Sequence, residues 1–118
     1  MKTFHNKDLR ELNPKEIEQA LRENIHVEAD VYAMWRSKLS SEWGFYAGQY
    51  EEILIKKPDI WLKMREGTKS DASAQKNWEG SEMGIDETVI KLRMKRLEKH
   101  ISSLRQLIET ARREMDQS

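Results

Sequence analysis

Three histidines, His5, His26 and His100, and 21 acidic residues are the side chains of this 118-residue sequence that bear on acid–base or metal chemistry. The histidines are far apart and none belongs to a zinc-spaced pair. His26-Val27-Glu28-Ala29-Asp30 alternates polar groups, but on a helix those three side chains diverge. Cysteine is absent, which excludes thiolate chemistry and disulfides and fits a reducing compartment, here the cytoplasm (a host's, if a phage encodes the chain). Neither a glycine-rich phosphate loop nor a nucleophile motif occurs. Carboxylates among basic neighbours read as surface pairs before they read as acid/base catalysts. The expectation is a protein without catalytic residues, metal or cofactor.

A different chemistry is written between Lys56 and Lys69. Lys56, Lys57, Lys63, Arg65 and Lys69 surround Trp61, giving five basic and two acidic residues over that stretch. Single-stranded nucleic acid is held by such mixtures, cations tracking phosphates while an aromatic ring stacks on a base for about 1–3 kcal/mol. Trp61 beside Leu62 is more often core than a stacking ring. Lys63 and Arg65 are two apart, so on a helix they splay by about 200° and cannot share one phosphate. They can reach successive phosphates or flank a groove. A second basic run, Lys91, Arg93, Lys95, Arg96 and Lys99, has one acidic residue within it. The chain opens acidic, with seven acidic and three basic residues from Asp8 to Asp30. Lys+Arg and Asp+Glu both total 21, so any nucleic-acid contact must be a local patch.

Helices must position these residues. Asn13-Pro14-Lys15-Glu16 has capping-box spacing with proline in the first turn and starts a helix over 14–23. Asn24-Ile25-His26-Val27 breaks it. A long helix is expected over 28–57, its apolar positions Val31, Trp35, Leu39, Trp43, Tyr46, Tyr50 and Leu54 falling at steps of three or four. Pro58 ends or bends it, because the residue before proline resists the α region. Gly44 and Gly48 lie on one side of this helix; they fit either close approach of another backbone or a locally weak helix. Asp59 caps a short helix over 59–66. Residues 67–84 carry Gly67, Gly80 and Gly84 without a steady period and read as a mobile connector, with room for a helical turn at Ser73–Trp78. Asp86 caps a last helix over 85–113.

That last helix has an unbroken heptad seam. Ile90, Met94, Leu97, Ile101, Leu104, Ile108, Ala111 and Met115 alternate steps of four and three. A 3.5-residue repeat favours a supercoil with a partner helix. Packing on the chain's own second helix would also use it. Surplus apolar surface on three helices points to self-association through Ile90, Met94, Leu97, Ile101, Leu104 and Ile108.

Hydrophobic residues make up 37% and charged residues 36% of the sequence, and mean hydropathy is −0.88. That balance suits long helices whose apolar stripe is a minority of their surface. No apolar run approaches the length of a membrane span, and the first ten residues lack the apolar core of a signal peptide. The expected architecture is a single all-α domain over 1–118, assembling into a homo-oligomer.

The pieces fall in a recognisable order: an acidic first helix, a long aromatic helix, Leu62-Lys63-Met64-Arg65, then Gly67, then Ser81-Glu82-Met83 before a long terminal helix. From about residue 9 to residue 112 this order resembles the phage recombination mediators of the UvsY type. The resemblance implies a protein that helps a RecA-like recombinase load onto single-stranded DNA covered by single-strand-binding protein. It implies a strand-binding role for Lys63 and Arg65, and subunits closed into a ring by the terminal helix. The alternative is a helical adaptor that binds only protein, such as a phage-encoded inhibitor of a host complex. It fits the balanced charge and the acidic start.

Overall fold

The computed structural model describes residues 7–117, so His5 lies outside the described residues. Among the described residues there are no strands. A 3₁₀ turn at Leu9–Glu11 precedes α1 (Pro14–Arg22), α2 (Ala29–Glu66), α3 (Asp71–Gly80) and α4 (Glu82–Gln117). Among the described residues no helix is long and apolar enough to cross a membrane. The chain divides into two compact units, one taking the chain up to Trp43 and again from Arg96, the other spanning Gly44–Lys95.

In the first unit, α1 starts at a reciprocal cap. The Glu16 N–H donates to the Asn13 side chain at 2.9 Å and the Asn13 N–H to the Glu16 carboxylate at 3.1 Å. The helix stops where Asn24 adopts a positive φ of 55°. Ile25 N–H then donates to the Ala20 carbonyl and Asn24 N–H to Leu21, which satisfies two orphan carbonyls in a Schellman arrangement. Asparagine tolerates this left-handed conformation better than most side chains. Buried Leu12, Ile17, Ala20, Trp35, Leu39, Leu97 and Leu104 form the interior here. Polar bonds strap the segment before α1 to α2. The Trp35 indole N–H donates to the Leu9 carbonyl at 2.7 Å, and Lys38 donates to the carbonyls of Arg10 and Leu12 at 2.8 and 2.9 Å. These take up backbone acceptors that a segment without regular pairing leaves open.

The second unit corrects three sequence expectations. Pro58 does not end α2, which runs through it, so the separate 59–66 helix does not exist and Asp59 caps nothing. A proline inside a helix costs about 3 kcal/mol. Beyond it, Ile60, Trp61 and Met64 pack on a core formed by Ile53, Trp78 and Ile90, and this burial offsets the cost. The 67–84 connector is largely helical. Ser70 caps α3 by accepting from the Ser73 N–H at 3.1 Å, and α3 buries Ala74 and Trp78. Two buried residues four apart suffice to dock a ten-residue helix, although they are too few to make a sequence period. Finally, α4 begins at Glu82, and Asp86 is an interior position.

Gly84 explains how α3 meets α4. A Cβ there would overlap the Trp78 carbonyl oxygen, so only glycine fits. Ser81 Oγ donates to that same carbonyl at 2.6 Å and accepts from the Gly84 N–H at 3.1 Å. At Gly44 and Gly48, by contrast, an added Cβ would meet nothing within 4 Å, so the described residues supply no close-approaching backbone there.

Candidate nucleic-acid interface

The six residues proposed from the sequence to meet DNA divide into two groups. Lys57 is engaged inside the second unit. Its ammonium lies 3.2 Å from the Glu87 carboxylate, whose side chain is buried, and 5.1 Å from the centroid of the Trp78 ring. The Trp78 indole N–H donates to the same carboxylate at 3.2 Å. A buried carboxylate needs such partners, so Lys57 serves the interior in the free chain. Arg65 is also partnered. It meets Asp71 at 2.6 Å and donates to the Thr68 carbonyl at 3.1 Å, bracing the turn from α2 to α3. Trp61 is half-buried on the Trp78 core and donates to Gln75 at 3.2 Å. Its ring packs against this core in the free chain.

Lys56, Lys63 and Lys69 form the other group. All three are exposed and have no ion pair among the described residues. Lys56 and Lys63 are seven apart on α2, two turns along one side, with about 10 Å of rise between them. That separation lets each ammonium take its own phosphate.

The second basic run is also divided. Lys91 sits 5.5 Å from the centroid of the Tyr50 ring. Arg93 lies 5.4 Å from that of Tyr46 and donates to its hydroxyl at 3.2 Å. Arg96 is committed to buried Glu18 at 2.9 Å, and His100 lies 3.5 Å from the same carboxylate. Burial holds the His100 imidazole below its ordinary value, against the upward pull of Glu18; Arg22 and Arg96 add to the lowering. Lys95 and Lys99 are exposed. The half-exposed tyrosines beside cations were not singled out in the sequence. Tyr46 and Tyr50 sit at core-like spacing, and their cations lie more than 40 residues away in the chain.

Most of the terminal seam is covered inside one chain, while Met115 at its end is exposed. Leu97, Leu104 and Ile108 are buried in the first unit, Ile101 is half-buried, and Ile90 and Met94 belong to the Trp78 core. Packing within one chain is the other use that the heptad period allows. Exposed apolar residues occur at Met34 and Met115 in the first unit and in greater number in the second. Phe45 (61% exposed), Ile55 (71%) and Leu62 (56%) lie on α2, and Ile85 and Leu92 on α4. Ile55 and Leu62 are seven apart, as are Ile85 and Leu92, so each pair shares a helix face.

Among the described residues no group of three His, Cys, Asp or Glu is placed to hold a metal ion. Comparison with family models, with curated proteins and with solved structures returns no match.

Proposed function

We propose that this chain is a non-enzymatic, homo-oligomeric protein that binds single-stranded DNA and assists the loading of a RecA-like recombinase onto strands covered by single-strand-binding protein. The observation that carries the reading is the pair of exposed, unpaired lysines, Lys56 and Lys63, on one side of α2, with Lys69 beyond its end. The ordered pieces from Leu62-Lys63-Met64-Arg65 to Ser81-Glu82-Met83 supply the recombination context. Self-association multiplies a weak site, because later contacts to one strand are intramolecular. The exposed faces at Ile55 and Leu62 and at Ile85 and Leu92 offer apolar area for it. Light scattering with and without an oligo-dT strand tests both parts. A mass above one subunit that rises further with the strand is expected; a monomer that ignores the strand removes the reading.

A second reading, a helical adaptor that binds only protein, is favoured by the same exposed apolar faces and by the internal pairing of Lys57 and Arg65. Salt-sensitive binding to single strands separates the two, since the adaptor lacks it.

A further inference from the structure

The first unit holds a groove that no sequence motif marked. It is lined from α2 by Ala33, Arg36, Ser37 and Ser40, and from α4 by Arg105, Ile108, Glu109 and Arg112, and its volume is about 520 Å3. On each helix these positions run i, i+3, i+4, i+7, so two stripes face one another. The groove's lining brings three arginines and two serines together with a single carboxylate, Glu109. That carboxylate is 3.7 Å from Arg105, an exposed pair of little strength. Arg36 and Arg112 are exposed and have no ion pair among the described residues.

We infer that this groove is a binding site for the phosphodiester backbone of single-stranded nucleic acid. A cleft whose lining carries an excess of positive charge, here three arginines against one glutamate, attracts an incoming anion. Guanidiniums match phosphate bidentately, and the Ser37 and Ser40 hydroxyls add donors. Arg105 and Arg112 are separated by about 10 Å of helix rise. Each therefore takes its own phosphate, which suits an extended polyanion better than one small anion. The inference rests on the single-strand reading and adds to it a contact surface distinct from Lys56 and Lys63.

The test is the salt dependence of binding to fluorescein-labelled oligo-dT by anisotropy. The parental chain is compared with Arg36→Ala/Arg112→Ala, with the charge-keeping Arg36→Lys/Arg112→Lys, and with Lys56→Ala/Lys63→Ala. Each lost phosphate contact lowers the single-strand slope by about 0.7, so the arginine-to-alanine pair should lose about 1.4 per subunit engaged and bind at least tenfold more weakly at low salt. The lysine variant of the arginines should keep the parental slope. Circular dichroism should show unchanged helix content, since both side chains are exposed. An alanine pair with the parental affinity and slope, beside a weakened Lys56/Lys63 pair, overturns the groove and leaves the single-strand reading standing. A parental chain that ignores oligo-dT overturns both. Equal competition by polyglutamate, lost with the same two arginines, would assign the groove to an acidic protein and overturn the nucleic-acid inference.

Discussion

Arg65 and Asp71 meet at 2.6 Å across the turn between α2 and α3, so the second cation of the Lys63–Arg65 pair is occupied before any strand arrives. The two residues should therefore respond differently to substitution. Lys63→Ala should lower the salt slope of oligo-dT binding by about 0.7 and leave stability unchanged. Arg65→Ala should cost no more than about 1 kcal/mol of stability, because the Asp71 partner is well exposed, and should change strand binding little. Asp71→Asn is the informative variant. It releases Arg65 and should steepen the slope, read by anisotropy titrations at several salt concentrations.

Gly84 sets the α3–α4 junction. Gly84→Ala forces a Cβ onto the Trp78 carbonyl and should destabilise the chain by about 1–3 kcal/mol, measured by urea unfolding. Gly48→Ala, where an added Cβ meets nothing within the chain, should instead be neutral or stabilising by up to about 1 kcal/mol. Equal effects at the two glycines would contradict the packing described for α3.

The terminal seam should behave as core. Leu97→Ala and Leu104→Ala should each cost about 2–5 kcal/mol, seen as a lower unfolding midpoint. The mass of the folded fraction should not change. Ile55→Ser with Leu62→Ser should do the reverse, lowering the mass in light scattering while stability holds. A seam variant that stays fully stable but dissociates would restore the terminal helix as the joint between copies.

How much of this was legible follows from the physics of each element. The start of α1 was readable because Asn13, Pro14 and Glu16 form their cap within four residues. The seam was readable as a period, but a period does not say which helix covers it; Leu104 is fully buried within a single chain. Pro58 misled because its local cost is visible in the sequence, whereas the packing of Ile60, Trp61 and Met64 that offsets it is not. The internal partners of the basic cluster are hidden from the sequence in a similar way. The partners of Lys57 and Arg65, Glu87 and Asp71, become neighbours only once α3 and α4 dock. The Arg36–Arg112 groove joins residues 76 positions apart and has no local signature.

His100 gives the fold a pH dependence. Its imidazole is held below its ordinary value, chiefly by burial, so the native chain resists the proton that the unfolded chain accepts. The unfolded chain therefore binds more protons in that window, and stability falls as pH drops below about 6.5 toward the folded value. Urea midpoints at pH 7.5 and 5.5 should show this loss, and His100→Gln should reduce it. A midpoint that rises on acidification would contradict the burial of His100 beside Arg22 and Arg96.

The central claim, that the chain holds single strands through their phosphates, is tested most directly by the affinity of the 118-residue chain for oligo-dT across a range of salt concentrations. The account predicts that log K falls linearly with log salt, by about 0.7 for each phosphate engaged, and that other base compositions give the same slope. Binding that is absent, or that is indifferent to salt, would contradict it and leave the protein-only adaptor as the reading that fits the exposed faces of α2 and α4.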